Sequence, residues 1–173
     1  MNVGRAAGVF YLGTFLSGVI ALAAGTGMVA ANGIAALCYI GVTVLFYVLF
    51  KPVNHAVSLA AALFSAAGCV FSLVRGLQIA RPPISELAFF GCYCMLIGYL
   101  IYESGFMPRW LGLCLAIGGV SWLTFAWPAL ARSLSPFNYA PGILAEGALT
   151  VWLLVRGAEP PSLVPERAQR VGS

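Results

Sequence analysis

Few side chains in this sequence could do chemistry, and the one that stands out is Glu146. It sits in "APGILAEGALTVWLLVRG", Ala140 to Gly157, a run otherwise apolar enough for a membrane interior. An ionisable group inside a membrane helix costs roughly 3 kcal/mol on insertion scales, and such groups usually face the interior of a bundle. If the helix spans about Tyr139 to Arg156, Glu146 lies about 10 Å from its outer end. It then serves either as a proton-linked carboxylate or ligand anchor, or as a packing residue, neutral or paired with an arginine. Gly142, Ala145 and Gly147 flank it and allow a neighbouring backbone to come close.

Arg75, Gln78 and Glu86 fall on the same side of the membrane as Glu146 and complete the candidate ligand-binding set. Arg75 could reach inward to Glu146, but its place near a helix end favours snorkelling to the interface. His55, in "KPVNHAV", is the only histidine, which excludes a two-histidine haem or metal site within one chain. Cys92 and Cys94 in "GCYCML" lie about 200° apart around a helix and cannot chelate one ion. The five cysteines (Cys38, Cys69, Cys92, Cys94 and Cys114) all fall inside apolar spans, where a free cysteine acts as a small hydrophobe. No metal or cofactor is expected.

Glu103 and Arg109 bracket the joint "SGFMP", with Pro108 opening the next helix and Trp110 anchoring at the headgroups, so this group reads as a structural turn. Trp122, Trp127 and Trp152 read as packing or belt residues rather than a cage around a ligand. The chain has no aspartate, and phosphate loops, zinc-protease helices and Ser/His/Asp arrangements are all absent.

The elements that must position these residues follow from composition. Of 173 residues, 61% are hydrophobic and 8% charged, and mean hydropathy is +0.96. A soluble domain carries about 25% charged residues. Ala6 to Phe50 is a run of 45 residues without a charge or a histidine. As helix it would be about 68 Å long, against about 30 Å for a hydrocarbon core, so it must fold back on itself. The alternation of barrel strands is missing. An all-α, polytopic transmembrane bundle follows, with the lipid bilayer as its surroundings. The net charge of +4 is scattered singly at helix ends and does not point to nucleic acid.

Six spans are expected: Ala6–Gly25, Ile34–Phe50, Val53–Arg75, Glu86–Glu103, Pro108–Leu130 and Tyr139–Arg156. The breaks fall at Asn32-Gly33, Lys51-Pro52, "ARPP", "SGFMP" and "SLSPFNYAPG". Residues 1–157 form one transmembrane domain, and 158–173 a flexible, polar, proline-rich cytoplasmic tail. Six spans put both termini on one side, with Arg5, Lys51, Arg109, Arg156, Arg167 and Arg170. Arg75, Arg81 and Arg132 fall on the other. Six basic residues against three place the termini in the cytoplasm. A competing reading takes "MNVGR" and Ala21 to Ala23 as a signal peptide, whose cleavage would leave five spans. Tyr11, Thr14, Ser17 and Gly18 favour a packing helix instead.

"AGVFYL" (Ala7 to Leu12), "KPVN" (Lys51 to Asn54), "GYLIYESGFMPRWLG" (Gly98 to Gly112) and "EGALTVWLLVRG" (Glu146 to Gly157) together resemble the bacterial membrane family catalogued as domain of unknown function 4386. The resemblance extends over nearly the whole chain, with the stretch between the first two spans compressed. It implies integral membrane residence and a helical fold, and no activity; the membrane expected for this chain is the cytoplasmic (inner) one. "SLVRG" (Ser72 to Gly76) recurs as "LLVRG" (Leu153 to Gly157), a hint of an inverted three-plus-three repeat that would pair Glu146 with Ser65. Three functions remain open. One is a module that binds or moves a small or lipid-like molecule at Glu146. The others are a structural subunit with a protein partner or a second copy of itself, and an intramembrane acid–base enzyme.

Overall fold

The computed structural model describes residues 2–23, 28–77, 79 and 84–159, with side chains for all of these except 21–32. Seven α-helices and no strand occur among the described residues: α1 (Val3–Ala23), α2 (Met28–Phe50), α3 (His55–Gly76), α4 (Glu86–Ser104), α5 (Arg109–Leu123), α6 (Pro128–Leu134) and α7 (Ala140–Val155). Five of them, α1 to α5, are long and apolar enough to cross a membrane.

Each long helix packs on the next, and α7 packs on both α5 and α1, so α1–α2–α3–α4–α5–α7 closes into a ring. The closure returns the chain to its starting end. Gly4 N donates to Ala158 O at 2.9 Å, and an Arg5 guanidinium nitrogen donates to Val155 O at 3.2 Å. Both described ends therefore lie at one end of the bundle, which requires α7 to run back along the bundle as its sixth rod. At 16 residues, about 24 Å, it is shorter than an ordinary span.

The outer faces are as apolar as the inside. Val19, Leu37, Leu63, Ile117 and Val151 stand exposed, as lipid-facing residues do. The polar groups are turned inward, including Ser17, Thr43, Ser58, Ser65, Glu146 and Thr150. Most find partners locally: Thr43 Oγ1 donates to Tyr39 O at 2.8 Å and lies 2.5 Å from Ser65 Oγ, and Thr150 Oγ1 donates to Glu146 O at 2.8 Å. Without water, such internal bonds and close packing hold helices together.

Three boundaries depart from the expected spans. Asn32-Gly33 does not break the chain but lies inside α2, which starts at Met28. A turn dipeptide within a long apolar run yields to the helix, since lipid leaves its backbone no other partner. The fifth span does not reach Leu130. It ends at Leu123, passes through a 3₁₀ turn at Thr124–Ala126 and restarts as α6. The cause is Pro128, which holds Trp127 extended at φ −117, ψ 103. Pro108 is the residue before α5 rather than its first turn, with Leu111 N donating to Pro108 O at 3.0 Å. Other ends follow their caps: Asn54 accepts from Val57 N at 3.1 Å, Ser85 from Leu87 N at 3.3 Å, and Gly105 ends α4 at φ 70, where a side chain would be strained. Of the tail, Ala158 is buried against α1, and 160–173 lie outside the described residues. α1 is a full member of the ring, with Ala7 and Tyr11 completely buried.

Candidate functional site

Glu146 lies in the second turn of α7 and is buried, 8% exposed. Two helices deliver its partners. The Trp122 indole N–H, from the end of α5, donates to Oε1 at 2.8 Å, and the Cys94 thiol of α4 points at the same oxygen from 3.7 Å. No cation lies within ion-pair distance of Glu146 among the described residues.

Small residues allow this convergence. Gly142, one turn before Glu146, lies directly under the Trp122 ring, where a Cβ would overlap the indole. Gly118 faces Ala145, whose Cβ would lie 3.0 Å from an added methyl group. On the other side α4 and α5 touch backbone to backbone at Gly91/Gly119 and Gly98/Gly112. The α5 helix is thus held tight against both α4 and α7, and the groups they carry meet at one carboxylate.

Around this point the core is aromatic. Tyr11, Tyr39 and Tyr93 form a chain of rings, with centroids 5.7 Å apart at Tyr11–Tyr39 and 5.7 Å at Tyr39–Tyr93. All three hydroxyls are buried without a hydrogen-bond partner among the described residues. A buried phenol normally finds one. Beside them is a cavity of about 190 Å³, lined by Glu146 and Trp122 and by residues that include Thr14, Tyr39, Ser72 and Phe90. All lie in the half of the bundle away from the termini.

Of the expected ligand set, only Glu146 lines this cavity. Arg75 does not reach it. Its Nε lies 3.1 Å from Glu86 Oε2, an ion pair that ties the end of α3 to the start of α4. The Arg75 side chain is 48% exposed, so the pair is a surface clasp of small energetic weight. Gln78 lies outside the described residues. Ser65, which a repeat would match to Glu146, is fully buried against Thr43 and is not on the cavity wall. His55 opens α3 with its Nε2 3.0 Å from the Tyr47 hydroxyl. At the α4–α5 joint, Arg109 stacks 5.2 Å over the Tyr102 ring, Glu103 is exposed, and Trp110 is 54% exposed.

Trp122, expected as a packing or belt residue, is instead the main donor to Glu146. Cys94 and the three tyrosines are additions to the expected site. The available signal is the tyrosines themselves, because a phenol in mid-span needs a partner. Asn138 is a further buried polar residue, donating to Thr124 Oγ1 and Ala131 O at 3.3 Å each and accepting from Ser121 at its backbone oxygen. It pins the segment around α6 across the end of α5.

The model of a family described as a domain of unknown function (DUF4386) matches residues 84–157, the family that the sequence resembles. The matched stretch runs from α4 through α7 and contains Cys94, Trp122 and Glu146. Tyr11 and Tyr39 lie before it. A protein of Archaeoglobus fulgidus, described as uncharacterized, is 27% identical over 125 residues, which is 67% of this chain and 75% of that protein. No solved structure matches the chain.

Proposed function

We propose that this chain, whose residues 84–157 carry a domain of unknown function, binds or moves a small or lipid-like molecule at an intramembrane site around Glu146. One observation carries the reading. A buried carboxyl faces a cavity with neutral donors on one oxygen and no cation beside it among the described residues. A group needed only to lock helices has no use for an open space next to it, and a carboxyl in a bilayer is costly to keep. Arg75 and Glu86 lie at the same end of the bundle and would border the approach to the cavity rather than hold the ligand.

A second reading has its own support. The Trp122–Glu146 hydrogen bond joins α5 to α7, and Glu146 would then be structural, in a subunit that serves a protein partner or a second copy of the chain. An acid–base enzyme would require turnover of a lipid-soluble substrate that Glu146→Gln abolishes.

Native mass spectrometry of gently extracted protein separates the first two. A defined small molecule should leave with the wild type and be missing from a folded Glu146→Gln variant. If neither form carries one and the variant merely melts earlier, the structural reading stands.

We place the protein in the cytoplasmic membrane with both termini cytoplasmic, from the excess of Arg and Lys at the termini end. Alkaline phosphatase fused after the last residue should then be inactive and a fluorescent protein there bright. The reverse pattern would invert the orientation.

A further inference from the structure

The cavity beside Glu146 has a definite chemistry. Its wall carries the carboxyl of Glu146, the rings of Tyr39, Phe90 and Trp122, and the hydroxyls of Thr14 and Ser72. No Lys, Arg or His lines it among the described residues. Both neutral donors to Glu146 act on Oε1, and Oε2 takes no hydrogen bond among the described residues. The Tyr39 ring lies on that wall, while its hydroxyl is buried away from the space. One carboxyl oxygen is thus left open beside an aromatic-walled space, and Arg75 is engaged with Glu86.

We infer that this cavity takes a protonated organic amine, an inference that rests on the reading of Glu146 as a binding group. An ammonium supplies the positive charge that the bundle withholds from the carboxylate. One of its N–H groups can go to Glu146 Oε2, which a quaternary ammonium cannot supply. Aromatic side chains attract a cation, more strongly where water is excluded. The Tyr39 and Phe90 centroids, 4.5 Å apart, make one continuous aromatic wall. A neutral molecule gives the carboxyl no charge partner, and an anion would disfavour its ionised form. A space of about 190 Å³ suits a single ring with a short arm rather than a two-chain phospholipid.

The test uses the full chain in detergent at pH 7 and three probes of nearly one shape: benzylamine, benzyl alcohol and benzoate. Saturation-transfer NMR titrations give their affinities. Wild type should bind benzylamine about tenfold more tightly than benzyl alcohol, and benzoate least, the size expected for a desolvated cation in an aromatic site. Glu146→Gln should abolish the preference while keeping the alcohol. Phe90→Leu, which takes an aromatic ring from the wall, should weaken the amine about threefold, with the alcohol less affected, which reports on the site even if the Gln variant fails to fold. Ala35→Phe, on the cavity wall, should remove all cavity binding and leave only partition into the micelle. Equal affinity of wild type for amine and alcohol, both lost in Ala35→Phe, would overturn the amine inference and leave a neutral-ligand site at Glu146. Binding of no probe above the Ala35→Phe level would overturn both.

Discussion

Gly98→Val is expected to destabilise the bundle by about 3 kcal/mol, the upper end of what overpacking costs. A Cβ on Gly98 would lie 2.6 Å from the carbonyl oxygen of Gly112, and one on Gly119 would lie 2.7 Å from that of Gly91. The obstacle is backbone in each case, which cannot rotate aside as a side chain can. The α4 and α5 helices would have to separate along their length, because the glycines recur seven residues apart on both: Gly91 and Gly98, Gly112 and Gly119. Separation also withdraws the Cys94 thiol from the oxygen that Trp122 holds. The loss should therefore appear twice, as earlier melting in detergent and as weaker retention of any molecule held at Glu146. Gly147→Ala is the matched control. Nothing lies within 4 Å of a Cβ there, and alanine favours a helix over glycine by about 1 kcal/mol. If Gly98→Val melts with wild type and Gly147→Ala does not, the close α4–α5 approach is not what holds this bundle.

Those four glycines also mark where the sequence stops short of the fold. Their spacing is plain in the sequence, but spacing alone does not say which helix faces which. Charge is the stronger guide. A run from Ala6 to Phe50 without charge has to be membrane helix, and Lys51-Pro52 has to be near its end. Glu146 is legible for the same reason, as a group whose burial needs a cause. Asn32-Gly33 misleads because turn chemistry is weighed against water, and a helix in lipid has none to offer. Trp127-Pro128 is the signal most easily passed over. The rest of the site is illegible: Cys94 and Trp122 are at home anywhere in an apolar helix, and the Tyr93 phenol calls for a partner without saying which. Only the ring closure of α7 onto α5 and α1 decides that the first two point at one oxygen. Arg75 has two partners within reason, and the short passage from α3 to α4 chooses Glu86.

The bond between Trp122 and Glu146 admits a sharper test than loss of either residue. Trp122→Phe removes the indole donor and keeps much of the ring, and it should cost about 2 kcal/mol, as loss of a buried hydrogen bond to a carboxyl does. Glu146→Leu orphans the indole N–H and should cost a similar amount. Made together, the two changes remove donor and acceptor at once, and apolar replacement of both partners of a buried pair is often nearly neutral. The double variant should thus recover most of what either single variant loses, a coupling of roughly 1.5–3 kcal/mol by denaturant unfolding in micelles. Additive losses would mean that Trp122 matters only for its volume against Gly142. Recovery says more than that the hydrogen bond exists. If the two apolar replacements together restore the stability of the native bundle, stability gives the chain no reason to keep a carboxyl in the membrane. The reason then lies in what the cavity beside it holds.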